Sequence, residues 1–285
     1  MSPLPIRASA IVLVIFLTCG LAAGQERNVD AVGGTLVVAV PVQEGLVTCS
    51  DKRLYNDATG TYRDDFVKIH QVGSNALFVA THTTGFLNKT TGKMEFDVFD
   101  ITSHYVSAHS FTRDRQFWDG LKKEIHDRLL QYLAKQKYKD WPATDVANNR
   151  LLFNLVFYSI EGNNIRSYSM SIFYEKAPTP VIFINDPARE EVKTPKLLGK
   201  GKDVMGYVSN TPSLSRDPSI LRFDQSYFNA KATTITDAVN FAKRLFVLTN
   251  FALPQAEVSA TYDCAFLSYQ NGFQWIREPL SKLFR

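Results

Sequence analysis

Long apolar runs are scarce in this 285-residue chain. The one near the N-terminus, AIVLVIFLTCGLA, holds about thirteen residues, against the roughly 20 that a membrane-crossing helix needs, and no later segment approaches that length. Cysteine is equally sparse. Cys19, Cys49 and Cys264 are the three, and neither Cys-x-x-Cys nor His-x-x-x-His occurs among them and the five histidines (His70, His82, His104, His109, His126). A metal therefore has no sequence support, and no cofactor is expected. Gly199, Gly201 and Gly206 lack the Walker spacing and its GK[ST] ending, which removes a phosphate loop. The charge balance is only +4. The cluster Lys193, Lys196, Lys200 and Lys202 has no interleaved aromatics, so it reads as solvated loop charge and no nucleic-acid partner is expected. No internal repeat or low-complexity region occurs.

What is present begins with a leader. Residues Met1 to Gly24 carry one basic residue, Arg7, then the apolar core, then Ala22-Ala23-Gly24, the small-residue pattern of signal peptidase cleavage before Gln25. The expectation is a secretory signal peptide and a secreted or periplasmic protein with no integral membrane segment after its removal. Phe16-Leu17-Thr18 ahead of Cys19 makes a poor lipobox. Residues 25–34 read as a short propeptide or flexible arm. Residues 35–285 are long enough for one large domain, and 45% apolar content supplies an ordinary core. Cys49 and Cys264 both lie in apolar strand segments. Spacing leaves a disulfide and two buried thiols equally open.

The densest information lies between Gly34 and Arg53, GTLVVAVPVQEGLVTCSDKR. Two strands, Leu36 to Val40 and Leu46 to Ser50, flank a tight connection at Gly45, so an antiparallel return brings Asp51 beside Thr35. Lys68 opens the next apolar stretch. A lysine near a carboxylate and a threonine is a charge able to lower the pKa of a nucleophile. A threonine hydroxyl is a weak nucleophile until a base lies within hydrogen-bond reach, and a free α-amino group, with an unperturbed pKa of ~7.7 to 8, is well suited to that task. Only cleavage after Gly34 would give Thr35 such an amine.

This pattern resembles the β-type subunits of the proteasome-like peptidases, which are N-terminal nucleophile hydrolases. In that family a Gly-Thr bond is cleaved, with a glycine ten, an aspartate sixteen and an arginine eighteen residues after the threonine. Thr35, Gly45, Asp51 and Arg53 keep those spacings, and Lys68 falls one residue late. The resemblance implies Thr35 as nucleophile, Asp51 as its orienting partner and Lys68 as the tuning charge. It also implies a peptide or amide substrate, and it allows a homo-oligomer. One departure stands out. Where the family has a glycine pair whose backbone N–H forms an oxyanion hole, this chain reads Ala80, Thr81, His82, Thr83, Thr84, Gly85. A supporting Ser-Gly-rich motif later in the chain is not identifiable.

Plainer readings accompany each residue. Threonine commonly begins strands. Asp51 also fits a turn residue with Arg53 as its surface ion partner. Lys68 alone would be a solvated face, and His82 alone a packed or half-exposed strand-end residue.

The coarse pattern is α+β, and the resemblance implies a four-layer α/β/β/α sandwich of the N-terminal nucleophile hydrolase type. Ala76 to Ala80 reads as a third strand, and Asn88 to Asp114 as a strand pair or loop over one edge. Gln116 to Lys135 is expected as a helix on the spacing of Phe117, Leu121, Ile125, Leu129 and Leu133, widened by Trp118 and Leu130. KDWPATD is a linker. Leu151 to Ile160 and Ile165 to Tyr174 form a hairpin about Gly162. Residues 176–218 read as irregular, either a loop shaping a cleft or a connection. Thr234 to Thr249 carries a T-x-x-D capping pattern, and a last hairpin turns at Asn271-Gly272.

Two function classes remain open at this stage. One is a secreted threonine-type peptidase or amidohydrolase. The other is a catalytically inactive proteasome-like fold acting as a binding or assembly subunit. An unrelated secreted α+β binding protein is a weaker third reading.

Overall fold

The computed structural model describes residues 29–56, 59–88, 91–135, 151–175, 181–252 and 258–277. The expected signal peptide, the start of the expected propeptide and the KDWPATD linker lie outside them.

The protein mixes helices with two antiparallel sheets. The smaller sheet contains β2 (Leu36–Val42), β3 (Gly45–Asp51), β13 (Lys196–Gly199), β14 (Tyr262–Ser268) and β15 (Gly272–Ile276), in the order β13-β2-β3-β14-β15. The larger sheet is built on β7 (Ala76–Asn88), which pairs with β1 (Val29–Gly33), β6 (Ile69–Val72), β8 (Met94–Asp97) and β9 (Phe153–Glu161). β10 (Asn164–Glu175) extends it on one side. On the other, β1 pairs with β4 (Leu54–Asn56), which pairs with the two-residue β5 (Tyr62–Arg63). Five of the ten residues expected to form a propeptide or flexible arm are thus a strand held between β7 and β4.

Side-chain alternation on the strands separates three apolar cores. On β2, Leu36, Val38 and Val40 point to one face, where they meet α3 (Gly201–Asn210) through Val204 and Val208, and α6 (Ile235–Ala252) through Ala238, Phe241 and Leu245. Val37 and Ala39 point to the other face, where Leu77, Val79 and Val156 of the larger sheet complete a core between the sheets. The far face of the larger sheet, with Phe78 and Phe157, packs α1 (Val98–Ala108) through Phe99 and α2 (Arg115–Lys135) through Phe117, Trp118, Leu121 and Ile125.

The spacing that predicts α2 is borne out, except that Leu130 is exposed and does not widen the buried stripe. At the start of α6, Thr234 and Asp237 form the expected capping box, each backbone N–H donating to the other's side chain at 3.1 Å. Two expectations need correction. The stretch from Asn88 to Asp114 holds β8 and then the helix α1, because Asp97 caps the first turn by accepting from the N–H groups of Phe99 and Asp100. Residues 181–218 are also more regular than expected. They contain β11 (Val181–Ile184), β12 (Ala188–Glu191), β13, α3 and the one-turn helix α4 (Pro212–Ser215), and a second one-turn helix, α5 (Pro218–Leu221), starts at their end. Among the described residues no helix is long and apolar enough to cross a membrane.

Cys49 and Cys264 form a disulfide. They face each other directly across the β3·β14 ladder, with Cα atoms 4.1 Å apart.

Candidate active site around Thr35

Thr35 sits in the two-residue step between β1 and β2, where the chain passes from the larger sheet to the smaller. Gly34 makes that step at φ +77°, a left-handed conformation that suits glycine. The bend turns the Gly34 carbonyl back over the next side chain, and the Thr35 hydroxyl donates to Gly34 O at 2.7 Å. Lys68, in the segment leading into β6, donates from Nζ to the same oxygen at 2.5 Å and to Asp51 Oδ2 at 3.1 Å. Thr35, Asp51 and Lys68 are all buried. Two of the three residues that the spacing singles out, Thr35 and Lys68, therefore converge on one carbonyl oxygen, and the third, Asp51, holds Lys68 there.

Asp51 closes β3 and is fixed from several sides. Oδ1 accepts from the N–H of Leu36 at 2.8 Å, while Oδ2 accepts from the N–H of Arg53 at 3.0 Å and of Ser259 at 3.4 Å. Burial pushes the Asp51 carboxyl up from the usual carboxylate range, opposed by the Lys68 charge and these donors. Burial likewise pushes the Lys68 ammonium down from its ordinary value, opposed by Asp51. A lysine held this way is a cation at a carbonyl oxygen that also gives up its proton more readily than a surface lysine. Arg53 does not pair with Asp51 through its side chain. Its guanidinium forks onto Asp64, at 2.8 and 3.0 Å, and lies over the Tyr62 ring.

The opposite wall comes from residues that the sequence left as loop. β13 pairs with β2, Gly199 opposite Leu36, and the Lys200 N–H donates to Thr35 O at 3.0 Å. Gly199 stands at φ +65°, and a Cβ there would lie 1.9 Å from Thr35 O. Only glycine lets the two backbones approach so closely. On the third side is His82, at φ +72° the one non-glycine residue in a left-handed conformation among the described residues. It marks an irregularity in β7, where Val32 pairs with Gly85 but Gly33 with Thr83. The backbone conformation that a glycine would adopt with ease thus persists at a histidine, whose Nδ1 is 3.0 Å from Thr81 Oγ1. The neighbouring Thr83 N–H donates to Leu152 O.

Ser259, Gly199 and Lys200 are the site residues that sequence reasoning missed. The available signal for the last two was the pair Leu197-Leu198 ahead of Gly199, a short apolar run ending in glycine.

No family model matches the chain, and no curated protein matches it. Among solved structures, a mutant of Anbu from Hyphomicrobium sp. strain MC1 aligns over 86% of this chain and 88% of its own, with 13% identity and a TM-score of 0.46.

Proposed function

We propose that Gly34–Thr35 is the scissile bond of a self-processing threonine-type N-terminal nucleophile hydrolase of the proteasome-like kind, exported from the cell and acting on amide or peptide bonds. The observation that carries this reading is the convergence of the Thr35 hydroxyl and the Lys68 ammonium on the Gly34 carbonyl oxygen, with Asp51 holding Lys68. In the uncleaved chain, Thr35 Oγ1 attacks the Gly34 carbonyl carbon, and charge developing on Gly34 O is met by Lys68. Oγ1 loses its proton as the new C–O bond forms, and the C–N bond breaks as the Thr35 nitrogen takes up one proton in return, leaving Gly34 esterified to Thr35 through Oγ1. Water then hydrolyses the ester, giving a Gly34 carboxylate and a free Thr35 amine. That amine serves as the base for Oγ1 in later cycles, in which a substrate acyl group replaces Gly34.

Three cores separating two sheets from two helical faces support a four-layer α/β/β/α arrangement. A buried disulfide fits export to an oxidising compartment. β1 lies between β7 and β4, so its departure would leave a strand-shaped slot with unpaired backbone groups on both sides, suited to an extended peptide.

A second reading has its own observation. β1 is an integral strand of the larger sheet, and His82 stands where substrate would approach the backbone. Both favour a scaffold that keeps the fold without turnover.

Intact mass and N-terminal sequencing of the exported protein separate the two. An N-terminus at Thr35, absent in Thr35→Ala, with amide hydrolysis lost in the same variant, supports the hydrolase. A chain continuous through Gly34–Thr35 in the wild type supports the scaffold.

A further inference from the structure

A cleft of about 370 Å³ borders the buried Thr35, and its walls include His82, Leu151, Lys200, Lys202 and Asp203. Among the described residues Leu151 is the one large apolar side chain on those walls. The charges of the cleft are unequal. Lys200 Nζ lies 3.7 Å from Asp203 Oδ2, which engages the one carboxylate. Of the four lysines between residues 193 and 202, Lys193 pairs with Glu191 at 3.2 Å and Lys196 with Glu190 at 3.0 Å. Lys202, exposed at the cleft, has no ion-pair partner among the described residues. The uncompensated cation of the run is therefore the one beside the candidate nucleophile. The Lys200 N–H bond to Thr35 O and the close approach at Gly199 fix this segment against Thr35.

Resting on the reading of Thr35 as a nucleophile, we propose that this cleft selects substrates with a carboxylate close to the scissile amide, and that Lys202, assisted by Lys200, determines that preference. An acidic side chain beside the reacting carbonyl neutralises the free cation without displacing an existing pair. A basic one meets Lys202 directly.

The test uses two N-acetyl tripeptide aminocoumarins that end in Glu or Gln, with binding measured on Thr35→Ala protein and coumarin release on wild type. The Glu probe is expected to be favoured about 3- to 10-fold at low salt, the range for one or two exposed ion pairs. The preference should shrink at high salt. Lys202→Glu should abolish or reverse it, while Lys193→Glu, the same charge change outside the cleft, should leave it intact. Binding with that preference but no turnover in wild type upholds the anion selectivity and removes the hydrolase reading. Turnover at equal rates for both probes, or a preference indifferent to Lys202→Glu, overturns the proposal and leaves the hydrolase standing. Neither binding nor turnover removes both.

Discussion

Lys68 Nζ lies 3.1 Å from Asp51 Oδ2, and neither side chain has any solvent exposure. A buried pair of this kind adds little over an apolar pair, but removing one partner strands the other charge at about 3–5 kcal/mol. Lys68→Met and Asp51→Asn should each destabilise the fold by about that amount. The double variant should cost less than the sum of the singles, by about 0.5–3 kcal/mol, because neither charge is left alone. Urea unfolding of the four proteins measures this. Strict additivity would show that the two groups are not coupled.

Gly199→Ala should act on the site more than on the core. The new Cβ would stand 1.9 Å from Thr35 O, and the left-handed backbone adds about 1–2 kcal/mol of strain for an L-residue. Relief requires β13 to separate from β2, with loss of the Lys200 N–H bond to Thr35 O. The expected outcome is a stability loss of at least about 1–2 kcal/mol, together with loss of self-processing at Gly34–Thr35. A Gly206→Ala control, in the interior of α3 with open space about its Cβ position, should leave processing intact and raise stability by about 0.5–1 kcal/mol.

The parts of this site legible in the sequence were those set by local geometry. A seven-residue strand, a tight connection at Gly45 and a second strand of equal length return Asp51 to the start of β2, where it accepts from the Leu36 N–H, so the placing of Asp51 one residue from Thr35 followed from the strand hairpin alone. Lys68, which leads into β6 of the other sheet, was singled out by the family resemblance and not by local geometry. Gly199, Lys200 and Ser259 were not legible, because their positions depend on long-range pairing, of β13 with β2 and of β14 with β3, and nothing local encodes such pairing. The pairing of Cys49 with Cys264 was open for the same reason. Helix α1 was missed on different grounds. Its buried residues Val98, Phe99 and Thr102 include only two apolar ones, a short stripe after a strand, and the capping role of Asp97 is also that of a turn residue.

The Cys49–Cys264 disulfide closes a sequence separation of 215 residues and ties β3, which ends in Asp51, to the strand that follows Ser259. A long closed loop restricts the unfolded chain strongly, so reduction, or the Cys49→Ala/Cys264→Ala double variant, should cost about 2–5 kcal/mol. The check is thermal unfolding with and without reductant. Equal transitions in the two conditions would show that the bond is not formed in solution.

The last expectation concerns pH and His70. Its ring packs against both Phe78 and Phe99, with centroids 4.9 and 5.1 Å away, in a cluster in which the two phenyl rings also meet each other at 6.2 Å, and Nε2 lies 3.1 Å from Val67 O, one residue before Lys68. As a donor to that carbonyl the neutral ring helps hold the approach to the site. Burial pushes the His70 pKa below its ordinary 6.5, with the Val67 carbonyl opposing. Between the lowered folded value and 6.5 the unfolded chain binds more protons at His70 than the folded one, so stability rises with pH across that window. The contribution is fully present above 6.5 and is lost as pH falls toward the folded value. The protein should therefore show a falling urea midpoint from pH 7 down toward pH 5. His70→Phe, which keeps the stacking and removes the titrating group, should flatten that slope. An unchanged slope in the variant would assign the acid sensitivity to another group.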